Sequence, residues 1–298
     1  MTARLGALVA AALLVGASIA QPADATDDFP EVDIEAFAPQ EPQSPCSQRY
    51  ANPVTLGIGG QDVGTPVKDA LARLDITDAW GLDENASIVG PDGGYPAIIQ
   101  VKFPEGSYSP GADDAPRGGA GFHVALPGRP SVENACLRYA VQFPSGFDWV
   151  KGGKLPGLYG GQPPSGGGEV PGDKGFSVRY MWREDGNGEA YGYIVNKPDD
   201  FGVSIGRGSW QFPTGTWVVL EQEIVLNDPS QANGILRVWV DGRQVIEQKD
   251  IVYRTTSDIT IDGLMFSTFF GGGDKSWATP KQQEIRFSDF EVLLPDPS

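Results

Sequence analysis

Two short stretches of the chain concentrate residues suited to chemistry. The first is Lys151-Gly-Gly-Lys154-Leu-Pro-Gly-Leu-Tyr159-Gly-Gly161. Its glycines let backbone come close to a ligand or a neighbouring strand, and Lys154 is held between Gly153 and Pro156. The second is Phe176-Ser-Val-Arg-Tyr-Met-Trp-Arg183, followed by Glu189-Ala-Tyr-Gly-Tyr193. On a strand, Ser177, Arg179 and Met181 share one face, and Tyr191 and Tyr193 share one face of the next strand. If the two strands pair through the turn at 185–188, the faces coincide as a patch of Ser, Arg and two Tyr. A guanidinium suits two-pronged carboxylate binding, and phenol hydroxyls near cations suit proton transfer. The competing reading makes the lysines solvated residues of a tight connection, the tyrosines core aromatics and Arg179 an edge charge.

Other chemistries lack their residues. The sequence has no Gly-x-Ser-x-Gly elbow, no P-loop, no dinucleotide fingerprint and no His-rich metal motif. His123 is the single histidine, on the strand-like stretch Phe122–Leu126, where a structural role is the expectation. Asp185, Asn187 and Glu189 have the spacing of part of a calcium loop, but the later ligands and the loop glycine are out of register. A hairpin turn is expected there. No metal or cofactor is expected at the candidate residues, and a structural calcium elsewhere stays open.

The elements that must position these residues read as strands. Ile99, Val101 and Phe103 alternate with Gln100 and Lys102, and Leu137–Phe143 alternates likewise. Phe176–Trp182 and Glu189–Val195 flank Asp185-Gly186-Asn187-Gly188, a hairpin signal. Trp217–Leu226, Leu236–Val240 with the turn Asp241-Gly242, Gly263–Phe270 and Glu284–Leu294 continue the pattern. A short helix is expected over Val67–Ile76, after Pro66. With 40 Gly and 25 Pro among 298 residues, many short strands joined by turns are favoured over a helix bundle. The expected fold class is all-β, an antiparallel β-sandwich or jelly roll over residues 46–298.

The formal charge is −17, from 22 basic and 39 acidic residues, which disfavours a nucleic-acid binder. Residues 1–45 hold one base, Arg4, and seven of the acids. Residues 1–25 read as a secretory signal, with Arg4 before an apolar run too short to span a bilayer. Residues 26–45 read as an acidic, Pro-containing linker. A secreted, membrane-free monomer is the expectation. In an exported protein two cysteines suggest one disulfide, Cys46 to Cys136. Asn85-Ala86-Ser87 is an N-glycosylation acceptor in a eukaryotic host.

Lys151–Gly161, the Ser177-x-Arg179 pair and the Tyr191-x-Tyr193 pair resemble polysaccharide lyase family 14, a group of alginate and glucuronate-polymer lyases with a β-jelly-roll fold. Gly263–Asp274 and Phe287–Phe290 also fit its secreted members. The resemblance spans roughly residues 95–294 and is strongest over 143–195; residues 1–94 carry no matching motif. The glucuronan lyase family is a near alternative. The resemblance implies a cleft lined by Lys154, Ser177, Arg179, Tyr191 and Tyr193, with Lys151, three residues away, as the other candidate for the lysine.

The implied reaction removes the C5 proton of a uronic acid and expels the C4 glycosidic oxygen. Arg179 or Lys154 would neutralise the carboxylate, and Lys154, Tyr191 and Tyr193 are the proton-transfer candidates. Ser177, Lys151, Tyr159 and Arg183 are the expected substrate-binding residues. The partner is an acidic polysaccharide, drawn into a local basic cleft of Lys102, Lys151, Lys154, Arg179 and Arg183 despite the negative overall charge, which salt screens beyond ~10 Å. Two other readings compete. A lectin-like sandwich would use Trp149, Trp210 or Trp277 as sugar platforms. A glycoside hydrolase would use two carboxylates such as Glu221 and Glu223, which are expected to face solvent.

Overall fold

The structure, a computed structural model, describes residues 43–57, 59–128, 131–197 and 201–296. The expected signal segment 1–25 and most of the expected linker lie outside these residues. Among the described residues no helix is long and apolar enough to cross a membrane.

Two antiparallel sheets pack face to face. One runs β13 (Arg243–Ile251), β12 (Gly234–Val240), β11 (Trp217–Val225), β6 (Asn134–Gln142), β15 (Gln283–Leu294), β4 (Ile98–Phe103), β3 (Ala86–Val89), with β1 (Asn52–Thr55) also on β15. The other runs β10 (Val203–Ile205), β9 (Gly188–Tyr193), β8 (Gly175–Arg183), β7 (Gly152–Gly161), β14 (Gly263–Phe270), β5 (Ala120–Ala125), β2 (Ile76–Trp80). This is the expected all-β sandwich.

The period-two pattern explains the core. Phe176, Val178, Tyr180 and Trp182 of β8 point between the sheets, where they meet Leu137, Tyr139 and Val141 of β6 and Leu220 of β11. Ser177, Arg179 and Met181 are left on the opposite face. Asp185 and Gly186 both take left-handed φ values (58° and 77°) in the turn from β8 to β9, as do Asp241 and Gly242 (49° and 78°) from β12 to β13.

The Gly-rich stretch is not a connection. It is the ten-residue central strand β7. Pro156 cannot donate to a ladder, and it sits where the register with β8 jumps from Leu155↔Tyr180 to Leu158↔Val178. Gly157 fills the bulge because a Cβ there would lie 1.9 Å from the Val178 carbonyl oxygen. The helix expected over 67–76 is reduced to α1, Val67–Ala70, because Ile76 is drawn into β2 beside Val124.

The N-terminal end of the described chain is strapped across the first sheet. Cys46 and Cys136 form the expected disulfide, with a Cα–Cα distance of 5.8 Å. Closing so long a loop contributes about 4–5 kcal/mol in the chain-entropy account. Gln43 lies within the expected linker yet is docked: its carbonyl accepts from Trp239 Nε1 (2.8 Å) and its N–H donates to Gln244 (2.7 Å).

This strap corrects the expectation for Glu221 and Glu223, which are buried rather than solvent-facing. Glu221 accepts from the Ser47 N–H and hydroxyl, and Glu223 from Arg49, Tyr50 and Arg237. Asn85 is also buried, its side-chain amide donating to the carbonyls of Arg117 and Gly119. The folded chain therefore does not present it as a glycosylation acceptor.

Candidate active site

β7, β8 and β9 lie side by side in the second sheet, and their outward faces converge. The pairing sets Arg179 opposite Tyr191, Ser177 opposite both Tyr193 and Tyr159, and Lys154 opposite Met181. The turn at 185–188 thus brings the Ser/Arg and Tyr/Tyr faces together. Lys154 Nζ lies 3.3 Å from the Tyr191 ring centre and donates to Met181 Sδ at 2.7 Å. Arg179 Cζ lies 6.0 Å from the Tyr193 ring centre.

These groups are almost closed to solvent: Arg179 is 2 % and Lys154 8 % exposed. Burial acts first on Lys154, and the nearby cations Arg179 and Arg183 add to it, so its pKa falls well below the ordinary lysine value. Burial also pulls Arg179 down, but a guanidinium stays charged in proteins. Its only hydrogen bond among the described residues is a long one to Ser267 Oγ (3.4 Å), and its buried Nε has no partner. A buried cation with an unused fork is prepared for an anion. Tyr191 is pushed up to about 12, mainly by burial and then by Tyr193, so it is a phenol rather than a resting phenolate.

The cover over this face is the loop 162–174. The Pro164 carbonyl accepts from Ser177 Oγ (2.8 Å), the Gly167 N–H donates to the Tyr193 hydroxyl (3.1 Å), and Val170 packs with Met181, Tyr191 and Tyr193. Gly166, Gly167, Gly168 and Gly172 all hold left-handed φ, which leaves the loop free of the Cβ restraints of other residues.

The family profile described as Polysaccharide lyase 14 matches residues 94–290, more than half of the chain. The chain belongs to polysaccharide lyase family 14. Among solved structures, this lyase is similar to the marine alginate lyase of the same family from Aplysia kurodai, at 30 % identity over 77 % of this chain and 94 % of that one, with a TM-score of 0.69. It is also similar to the alginate lyase vAL-1 from Chlorella virus, at 20 % identity over 78 % and 98 % of the two chains, TM-score 0.64. The endo-β-1,4-glucuronan lyase from the fungus Trichoderma reesei follows at 12 % identity over 82 % and 95 %, TM-score 0.50. The last two likenesses show a shared fold. No curated protein matches the chain.

The remaining expected residues divide. In this family 14 lyase Tyr159 stands opposite Ser177 on the candidate face, its ring 5.1 Å from that of His123. His123 sits two strands away from β7 on the same sheet, and its Nδ1 lies 3.0 Å from Asp78. Arg183 borders the Tyr191 ring at 5.7 Å but is paired with buried Glu189, which Arg207 also holds at 2.6 Å. Both carboxylate oxygens of Glu189 are thus held by arginines. Lys151 is exposed beside Trp277, at the rim. Lys102 does not belong to the cleft: it lies on β4 of the other sheet, opposite Glu284.

Met181, Ser267, Arg207 and the covering loop complete the site. Only Met181 was placed on this face by strand parity. The others depend on contacts between segments far apart in sequence.

Proposed function

We propose that this lyase cleaves a polyuronate, alginate or glucuronan, by β-elimination outside the cell. The observation carrying the reading is the buried Arg179 with an unpartnered Nε in the same closed site as a buried lysine that no carboxylate bonds among the described residues. In this reading Arg179 grips the uronate carboxylate, which makes the C5 proton removable. Lys154 Nζ takes that proton. The C5–H electron pair becomes the C4=C5 double bond, and the C4–O bond breaks. The departing glycosidic oxygen receives the proton of the Tyr191 hydroxyl, giving an unsaturated uronate and a new chain end. The ammonium and phenolate left behind exchange a proton before the next turnover. Ser177 and Tyr193, released from the loop, become donors for the sugar.

Secretion is supported by the signal pattern of residues 1–25 and by the disulfide. The similar structures are alginate and glucuronan lyases, which motivates the substrate choice. A panel of alginate, glucuronan and hyaluronan, followed by ultraviolet absorbance of the unsaturated product, tests the reading. Absorbance is expected with alginate or glucuronan, and none on any of the three would overturn it.

Of the platforms a lectin would use, only Trp277 is left at the rim of the site, and the carboxylates a hydrolase would use are elsewhere. Trp210 is buried, and Trp149 packs among Phe143, Phe147 and the core. Glu221 and Glu223 belong to the strap on the other sheet.

A polymer reaches Arg179 only if the loop 162–174 moves aside. Val170 anchors the closed form, so Val170→Ala is expected to lower KM for the polymer, read from initial rates. An unaltered or raised KM would mean that the loop is no barrier.

A further inference from the structure

At the rim of the site one indole is mounted as a platform. Gly272 has a left-handed φ of 108°, and a Cβ built on it would lie 2.2–2.3 Å from Trp277 Cδ2, Cδ1 and Cε2. Gly272 is therefore packed flat against one face of the five-membered ring, as only glycine can be. The preceding Gly271 donates its N–H to the Gly152 carbonyl at 3.0 Å, tying this loop to the start of β7, two residues before Lys154. Asp274 then fixes the following turn by accepting from the Ser276 N–H (2.7 Å).

Two cations lie over the indole ring at the outer limit of contact. Lys151 Nζ is 5.9 Å and Arg183 Cζ 6.0 Å from the ring centre. Arg183 also lies 5.7 Å from the Tyr191 ring, so the rim is continuous with the candidate active site. Glu189 is shared between Arg183 and Arg207, which leaves one excess positive charge in that group. Lys151 is exposed and bonded to the neutral hydroxyl of Ser276 (2.8 Å), which also bonds Asp274. Unlike Lys154 and Arg179, Lys151 is exposed and Trp277 and Arg183 are only partly buried while the loop 162–174 is closed.

We propose that Trp277, Lys151 and Arg183 form a distal subsite for one uronate residue of the polymer, outside the residue being cleaved. The exposed part of the indole accepts the C–H face of the pyranose, whose weakly positive hydrogens suit the negative π face. Lys151 and the N–H groups of Arg183 not bound to Glu189 donate to its carboxylate. The platform is fixed in advance by Gly272, so little ordering is lost on binding. The proposal rests on the polyuronate reading and adds where the chain first docks.

The test compares kcat/KM on long polymer with kcat/KM on the shortest oligouronate that is cleaved. Trp277→Ala is expected to lower the polymer-to-oligomer ratio about tenfold, the equivalent of about 1.4 kcal/mol. Trp277→Phe should restore most of it. Lys151→Ala should lower the ratio and flatten its salt dependence. A ratio unaltered in Trp277→Ala, or an equal fall on both lengths, overturns the subsite. Calorimetric titration with an oligouronate reads the same corner without turnover, and a Kd unaltered by Trp277→Ala also overturns it. A wild-type protein that forms no unsaturated product on either length would instead sink the lyase reading, a separately visible failure.

Discussion

Arg179→Ala is expected to lower kcat/KM on a polyuronate by roughly 10²–10³-fold, the usual cost of losing a donor that stabilises developing charge. The fold should survive. Arg179 makes one long hydrogen bond and leaves Nε unpartnered, so its removal breaks little and relieves a buried charge. Arg179→Lys should be nearly as inactive, because an ammonium is a point charge without the planar fork. Initial rates and a thermal melt on the same samples check both statements. Full activity in Arg179→Ala would remove the residue from the mechanism, and loss of the fold would give it a structural role instead.

Lys154→Met should abolish the elimination and at the same time raise the melting temperature. The side chain sits against Met181 Sδ and the Tyr191 ring, with no carboxylate bonded to it, and methionine fills a similar volume. The pH dependence has a definite sign. Burial, then Arg179 and Arg183, depress the folded pKa of Lys154, while the unfolded chain keeps the ordinary value of about 10.4. Between those two values the unfolded state holds a proton that the folded state lacks, so burying the amine costs stability. The cost grows as pH falls from about 10.4 to the depressed pKa and is constant below it. The gain from Lys154→Met is therefore largest at and below the depressed pKa and fades toward alkaline pH.

Activity follows the same group. The rate should rise with pH through the depressed pKa of Lys154 and stay high, because Tyr191, raised to about 12, keeps its proton well beyond that point. Melting temperatures and pH–rate profiles of the wild type and Lys154→Met check the account. A destabilised variant, or a wild-type rate that falls as pH rises from 7 to 9, would contradict it.

The juxtaposition of the β8 and β9 residues is local and legible in the pattern, but it is the resemblance to family 14, not the pattern, that marks them as a candidate site. The 185–188 turn and the parity of β8 and β9 put Ser177, Arg179, Tyr191 and Tyr193 on one face, because alternation in paired strands is a short-range property. Parity does not say which sheet a strand joins. Lys102 alternates as well as Arg179 does, yet β4 lies in the other sheet. The Gly- and Pro-rich composition of β7 disguised a central strand, since its bulge and close approaches are what the glycines and Pro156 serve.

Glu221 and Glu223, expected to face solvent, and Asn85, named only as a glycosylation sequon, are buried for one reason. Their burial comes from partners far away in sequence: the strap at Ser47–Tyr50 for the first two, and Arg117 and Gly119 for the third. The closed state of the site is equally invisible in pattern. It depends on Val170 and the 162–174 backbone folding back over strands that follow them in the chain.

The most direct test counts products. Wild-type protein is incubated with alginate or glucuronan, and ultraviolet absorbance of unsaturated uronate is measured against new reducing ends in the same tube. Elimination by this site predicts one unsaturated end for every new reducing end, with both lost in Arg179→Ala. Reducing ends without absorbance would mean hydrolysis, and binding without either product would mean that the site does not catalyse.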